Sequence, residues 1–340
     1  MYEFSISPPW YQTGLAYFIY IIVAIIIIIV IVNLYTRRLR NENIRLEGII
    51  SERTAEIRKQ KEELEDSILY ARRIQRAMLP SKDIMEENFP NHFILFKPRD
   101  VVSGDYYWMA KREGKVFIVA ADCTGHGVPG AFMSLLGISF LNEIIAKPEI
   151  EKSGEMLDAL REYVMTSLKQ TGEVEDETKD GMDLSLIILD KQNKTIQYSG
   201  AYNPLYMVRE LNSDEKAKLK SGNELDLSKG SLNNDDYILE QVNADKMPIG
   251  ISAKKTDHFS HTDLDLKSGL SLYMLSDGYV DQFGGPLGKK YMSKKFKKLI
   301  LDIQEKSMEE QGKILDETLI EWIGDLDQID DVLVMGIKME

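Results

Sequence analysis

The residues best equipped for chemistry are aspartates placed at the ends of apolar runs. Asp122 follows Val116–Ala121 and opens DCTGHGVPGAF, a glycine-rich turn that leads into a helix. Asp277 closes the run Leu270–Ser276 and is followed by Gly278, while Asp330 and Asp331 precede VLVMGIKM. Asp105 stands between Gly104 and the aromatic run YYW. Carboxylates at strand ends with glycines beside them can converge on hard cations, because Mg²⁺ and Mn²⁺ take oxygen ligands and retain some water. Without a cation such a group would repel itself. Any one of these aspartates alone reads as a turn or helix cap; the four positions together, counting Asp330 and Asp331 as one, are harder to read that way. The single cysteine, Cys123, follows Asp122. A cysteine nucleophile for phosphate esters needs an arginine-bearing loop behind it, and TGHGVPG supplies none. One cysteine also excludes an intrachain disulfide framework and a thiolate-rich zinc site.

These aspartates need strands to hold them. β-type runs are expected at His92–Lys97, Val116–Ala121, Leu184–Asp190, Thr195–Ser199, Leu205–Val208, Leu270–Ser276 and Val332–Lys338. Helical patterns at Ala131–Ala146, Gly154–Gln170, Lys294–Gln304 and Met308–Trp322 separate them, so the fold class is α+β, a layered domain. Residues 210–236 read as a polar excursion, and GGPLGKKY after Asp281–Phe283 as a loop.

Ahead of this domain, every residue from Leu15 to Val32 is apolar or aromatic, long enough as a helix to cross a hydrocarbon core of about 30 Å. No Lys or Arg precedes the run, whereas Arg37, Arg38 and Arg40 follow it, which disfavours a signal peptide and orients the C-terminal side to the cytoplasm. The expected organisation is a short outer stub at 1–14, a transmembrane helix at 15–35, a signalling helix at 36–80 and a catalytic domain at 88–340, in a single-pass protein of the inner (cytoplasmic) membrane. Ile50, Ile57, Leu64, Ala71 and Met78 recur every seven residues, a coiled-coil-like seam. A second row, Leu39, Leu46 and Ile74, is broken by Arg53, Gln60 and Ser67. That pattern predicts a homodimer through the stalk, with Pro80 ending the helix. The chain has 42 Lys+Arg against 55 Asp+Glu, a formal net charge of −13, which argues against a nucleic-acid partner.

Seven segments together resemble the SpoIIE/RsbU branch of the metal-dependent (type 2C, PPM) serine/threonine phosphatases. They are VVSGDYYW, VAADCTGHGVPGAFMSLLG, DGMDLSLIILD, YSGAYNPLYMV, MPIG, LSDGYVDQFGG and DDVLVMGIKM. SILYARRIQRAMLP is similar to that family's entry helix, so the resemblance covers about residues 67–340. The outer segment FSISPPWYQTGLAYFIY resembles the junction at which periplasmic sensors of Bacteroidetes-type receptors enter the membrane.

The resemblance implies an α-β-β-α sandwich with two Mn²⁺ or Mg²⁺ ions between its sheets. By motif position it implies Asp105, Asp122, Asp277, Asp330 and the backbone carbonyl of Cys123 as ligands, with Asp180 or Asp183 available to a third ion. The two ions would activate a water for attack on phosphorus. Arg99, just before the GDYY motif, is a candidate phosphate clamp. Two departures stand out: Leu333 replaces a frequent threonine and is expected in the strand core, and His126 lies farther from Asp122 than in eukaryotic-type members, so packing or a loop hydrogen bond is expected of it. The implied activity is hydrolysis of phosphoserine or phosphothreonine on a phosphorylated anti-sigma-factor antagonist. The alternative is a degenerate scaffold that binds such partners, against which the retained aspartates argue. A nucleotide cyclase lacks a recognisable turn motif here, and a histidine kinase lacks a stalk histidine, the four being His92, His126, His258 and His261.

Overall fold

The computed structural model describes residues 9–171, 179–252 and 258–339. Residues 1–8 of the expected outer stub therefore lie outside the described residues. The chain divides into two compact units, Met1–Ser67 and Ile68–Glu340.

Helix α1 runs Gly14–Met78, and its portion up to Ser67 makes up nearly all of what is described of the first unit. Thr13 starts it, its hydroxyl accepting the Ala16 N–H at 3.3 Å. Leu15 and the residues from Tyr17 to Val23 and Ile25 to Val32 are exposed, which is costly for so apolar a surface in water. Beyond them, ion pairs Arg53–Glu56, Lys59–Glu63 and Lys61–Glu65 follow helical spacing on a solvated face. The helix stops at Met78, two residues before Pro80, as the proline requires.

The second unit contains the C-terminal end of α1 and a two-sheet sandwich. In order come α2 (Lys82–Asn88), β1 (His92–Lys97), β2 (Tyr106–Arg112), β3 (Lys115–Cys123), α3 (Gly127–Ile145), α4 (Ser153–Ser167), β4 (Met182–Asp190), β5 (Thr195–Ala201), β6 (Leu205–Glu210) and α5 (Ser213–Lys220). They are followed by β7 (Leu232–Asn233), β8 (Tyr237–Val242), β9 (Thr262–Asp265), β10 (Ser271–Leu275), α6 (Gly278–Asp281), β11 (Phe283–Gly284), β12 (Lys289–Lys290), α7 (Ser293–Asp302), α8 (Met308–Ile323) and β13 (Val332–Lys338). One sheet has the order β1-β13-β10-β6-β8-β7 and the other β2-β3-β4-β5-β9, with antiparallel pairing throughout.

Both faces of each sheet are covered, which is why the central strands read as near-continuous apolar runs. Along β3, Val116, Ile118 and Ala120 face the inter-sheet core with Ile187, Met274, Leu333 and Met335. The alternate residues Phe117, Val119 and Ala121 pack under α3 and α4 against Ile138, Leu141, Leu157 and Leu160. On the opposite outer face Tyr273 and Val334 meet Phe296, Ile300, Leu315 and Leu319 from α7 and α8. Helix α3 is apolar enough to pass for a membrane span, yet Ile138, Leu141 and Ile144 are fully buried on the sheet. It is a core helix. The result is the expected α-β-β-α sandwich.

Six strands escape sequence patterning: β2, β7, β8, β9 and the short pair β11 and β12. Strand β9 is polar and exposed at a sheet edge, and β8 emerges from the polar excursion. That excursion also holds α5, set by a capping box between Asn212 and Glu215 and by a paired contact from Arg209 to Glu215 at 2.8 and 2.9 Å. The expected loop after Asp281 is a small hairpin, β11–β12.

Candidate metal centre

The two sheets end together, and their ends carry the acidic residues. Tyr106 pairs with Ala121, so Asp105 and Asp122 stand beside one another one step past the β2–β3 ladder. Asp122 faces Asp183 across the β3–β4 ladder. From the other sheet come Asp277, just past β10, and Asp330 and Asp331, just before β13. The sheets are stitched at this edge: the Asp277 N–H reaches the Asp122 carboxylate at 3.4 Å, and the Gly104 N–H donates to Asp331 Oδ2 at 2.7 Å. Ser276 and Leu333 exchange two hydrogen bonds, Leu333 N–H to the serine hydroxyl at 2.9 Å and Ser276 N–H to the leucine carbonyl at 3.0 Å.

A cleft of about 250 Å³ opens here, lined by Asp122, Asp183, Asp277, Asp330, His126 and Lys179 among others. Asp105 lies buried, and its Oδ2 has no hydrogen-bond partner among the described residues. Burial first, then the charge of Asp122, push its carboxyl well above the usual range, while a hydrogen bond with Ser276 opposes the shift. Burial and then Asp277 push Asp122 up in the same direction. Asp277 is raised by burial and by Asp281, and Asp183 is pushed up to about 7 by burial and Asp277. These are carboxylates held together against their own repulsion.

The loops that carry them are packed backbone to backbone. A Cβ on Gly104 would stand 2.5 Å from the Gly125 carbonyl oxygen and 3.2 Å from that of Cys123. A Cβ on Gly278 would stand 1.9 Å from the carbonyl oxygen of Asp331. Only glycine permits these approaches, which explains the glycines flanking the aspartates.

The adjacent pair Asp330 and Asp331 divides its work. Asp330 lines the cleft. Asp331 turns away and clamps the 99–104 loop, accepting the backbone N–H of Arg99 and of Gly104, each at 2.7 Å. Of the two candidates for a third ion, Asp183 lines the cleft; Asp180 is not among the cleft residues, and its carbonyl accepts Gln170 Nε2 at 2.6 Å. The Arg99 guanidinium donates to the Ile329 carbonyl at 2.9 Å and does not line the cleft. His126 makes the expected loop hydrogen bond, Nδ1 to Asp100 Oδ2 at 2.7 Å, and Leu333 is fully buried strand core. The Cys123 thiol is buried and pushed well up, by burial and then by Asp122, so it is a poor nucleophile.

Two residues were not signalled by the sequence pattern. Lys179, in KDGMD, brings a positive charge to the cleft and has no partner among the described residues. Gln75, near the C-terminal end of α1, is buried and bound on both sides of its amide. Its Nε2 donates to the Ser103 carbonyl at 2.6 Å and to Ser134 Oγ at 2.8 Å, and its Oε1 accepts the Ser103 N–H at 3.1 Å.

As it stands, no trio of His, Cys, Asp or Glu among the described residues is drawn tightly enough to hold an ion by side chains alone. The donor set nevertheless fits divalent cations. An orphaned buried carboxylate oxygen, four carboxyls raised by burial and then by neighbouring charge, and loop carbonyls pressed against Gly104 are oxygen donors of the kind that Mg²⁺ or Mn²⁺ takes together with water.

The family model for stage II sporulation protein E (SpoIIE) matches residues 112–227 and 231–340. Among solved structures, the SiaA PP2C domain of Pseudomonas aeruginosa is 25% identical with a TM-score of 0.67, covering 82% of this chain and 98% of that one. The PP2C phosphatase domain of SpoIIE from Bacillus subtilis, with a fragment of its regulatory domain, is 20% identical with a TM-score of 0.52, covering 73% of this chain and 63% of that one. The RsbU and RsbW domains of a Mycobacterium tuberculosis protein are 18% identical with a TM-score of 0.50, covering 74% of this chain and 60% of that one. The last two similarities show the fold. No curated protein sequence matches the chain.

Proposed function

The chain belongs to the SpoIIE family of PP2C-type serine/threonine phosphatases, and we propose that it is a membrane-tethered enzyme acting on a phosphorylated partner-switching protein. The observation that carries the proposal is the array of buried, mutually repelling carboxyls, with the orphaned Asp105 oxygen, at the shared edge of the two sheets. Asp105, Asp122, Asp277, Asp330 and the Cys123 carbonyl would hold two Mn²⁺ or Mg²⁺ ions, and Asp183 is better placed than Asp180 to serve a third. Such ions supply Lewis acidity and a water of lowered pKa.

The protein's own residues do the rest. Asp331 and Gly104 fix the loop that carries Asp105, and the backbone contact from Asp277 to Asp122 locks the two sheets at the site. Lys179 supplies the positive charge that orients a phosphate monoester over an otherwise acidic cleft; this role passes to it from Arg99, whose guanidinium is engaged by Ile329. The raised carboxyls are supporting features, since charge gathered at one edge is worth its energetic cost only where a ligand uses it.

The apolar, exposed stretch of α1 supports a membrane span at 15–35 with the phosphatase domain in the cytoplasm. The heptad rows at 36–80 support a parallel dimer that relays signals to the domain at 88–340. An anti-sigma-factor antagonist carrying phosphoserine is the substrate class that the family resemblance supports.

The test is hydrolysis of p-nitrophenyl phosphate by the purified chain, stripped with EDTA and reloaded. Activity should return with Mn²⁺ or Mg²⁺ and fall at least about 100-fold in Asp122→Asn. Turnover that survives EDTA, or equal turnover in Asp122→Asn, would sink the proposal.

A further inference from the structure

Between Phe283 and Lys298 the chain carries six lysines and no acidic residue, in a protein whose formal net charge is −13. Lys289, Lys294, Lys295 and Lys298 are exposed. Lys290 is half-buried, paired with Asp281 at 2.7 Å, and Lys297 is buried, donating to the Gly230 carbonyl and to Gln241 Oε1. On α7 the exposed lysines at 294, 295 and 298 lie opposite the buried Phe296 and Ile300. A solvated helix face would explain α7 alone. It does not explain the hairpin in front of it.

The β11–β12 hairpin exposes apolar side chains, Phe283 at its base and Leu287, 76% exposed, at its tip; Met292, just after it, is also exposed. It is built to be rigid. A Cβ on Gly284 would stand 1.9 Å from the Trp322 carbonyl oxygen, and one on Gly285 would stand 2.5 Å from the Trp322 ring. The Gly285 N–H donates to the Trp322 carbonyl at 2.7 Å, and the indole N–H donates to the Gln282 carbonyl at 3.1 Å. Lys295 Nζ sits 3.9 Å above the same ring, so hairpin and α7 form one surface around Trp322.

That surface is tied to the cleft. The buried Gln282 side chain donates to the Asp327 carbonyl at 3.0 Å and accepts the Ile329 N–H at 3.1 Å, one residue before Asp330. Helix α6 alone separates Asp277 from Gln282, and Lys290 holds Asp281 at its end.

We propose that this basic, apolar-tipped face is the docking surface for the phosphoprotein substrate, and that it selects partners whose phosphoserine lies beside an acidic, partly apolar face. The inference rests on the phosphatase reading. A net negative protein repels an acidic partner over most of its surface, so Lys289, Lys294 and Lys298, exposed and without an acidic partner among the described residues, give such a partner a favoured approach beside the catalytic edge. Exposed Leu287 and Phe283, held on a fixed hairpin, offer the apolar anchor that charge alone lacks.

The experiment uses the detergent-solubilised full chain and two fluorescein-labelled phosphoserine peptides, one flanked by Glu and Asp and one by Gln and Asn. Binding is read by anisotropy, and hydrolysis of p-nitrophenyl phosphate is read in parallel. The acidic peptide should bind about tenfold tighter than the neutral one at low salt, with the preference fading as salt rises. The variant Lys289→Glu/Lys294→Glu/Lys298→Glu should lose that preference while hydrolysing p-nitrophenyl phosphate as wild type does. Leu287→Ser should weaken both peptides equally. An acidic preference that survives the triple substitution, or none in the wild type, overturns the docking surface even if p-nitrophenyl phosphate is turned over. Loss of p-nitrophenyl phosphate hydrolysis with the lysine-dependent preference intact would leave the docking surface standing and remove the enzyme reading. In reconstituted vesicles, rates that depend on phosphatidylglycerol through these lysines, with no peptide preference, would assign them to a lipid surface and overturn the proposal.

Discussion

Replacing Asp183 with asparagine should stabilise the cation-free protein at neutral and alkaline pH and have no such effect in acid. Burial, and after it the charge of Asp277, raise the Asp183 carboxyl from 3.8 to about 7. In the unfolded chain the group returns to its ordinary value. Below that value both states are protonated, and Asp183 costs folding nothing. As pH climbs past it the unfolded chain ionises while the folded one does not, so stability falls, and the loss is complete above about 7. At about 1.4 kcal/mol per unit, the full penalty is about 4 kcal/mol. Asp183 keeps some contact with water, and screening there trims the figure to about 2 kcal/mol.

Asparagine has the same size and no charge, so in EDTA near pH 8 the variant should melt about 6 °C above wild type, from about 3 °C per kcal/mol for a domain of this size. Near pH 4, just above the ordinary carboxyl value of 3.8, the two melting curves should nearly coincide. Adding Mn²⁺ should raise the wild type more than the variant, the outcome expected of a ligand carboxylate that an amide does not replace. The measurement is differential scanning fluorimetry across that range, with EDTA or Mn²⁺ in every buffer. An Asp183→Asn shift of equal size near pH 4 and pH 8, or a variant less stable than wild type at pH 8 in EDTA, would refute the reasoning, because either result would mean that packing and not charge dominates at this position.

Lys179→Ala should raise KM for p-nitrophenyl phosphate about three- to tenfold with little change in melting temperature, and Lys179→Arg should recover most of the loss; an unchanged KM would remove Lys179 from phosphate binding. Gln75→Ala leaves the Ser103 N–H and carbonyl buried without their side-chain partner, so the urea midpoint should drop by the equivalent of about 1–3 kcal/mol at constant slope; a midpoint within error of wild type would show that the contact carries no net stability. Single cysteines at Ile57 or Leu64 should crosslink in membranes, while the buried Cys123 stays silent; no crosslink at either position would remove the parallel dimer.

Much of the site was legible because its chemistry restricts residue types and strand ends restrict their positions. Asp122 and Asp277 close apolar runs and Asp330 precedes one; any one of them alone reads as a turn or cap, but the three line a single cleft. Residue type alone does not separate Asp330 from Asp331; only the family resemblance singles out Asp330, the one that lines the cleft. Their separation follows from the strand that begins after them, where successive side chains leave on opposite sides, one toward the cleft and the other toward the 99–104 loop. Strand β2 was missed for a different reason: YYWMAKR has aromatic residues on both faces near the site and basic ones at its end, so no period of two is visible until β3 pairs with it.

Gln75 shows the wider limit. On a helix rich in Glu, Lys and Arg, a glutamine reads as solvated surface, and its partners lie 28 and 59 residues away. Nothing local marks it, because a single amide becomes structural only when two other segments close on it. The same holds for the lysines at 289–298, which as sequence are a charged loop and helix. It is the glycines against Trp322 and the Gln282 contacts to the Asp330 loop that make them part of the catalytic edge. Candidate ligands are thus read from residue type, while the groups that position them are read only from contacts that span the chain.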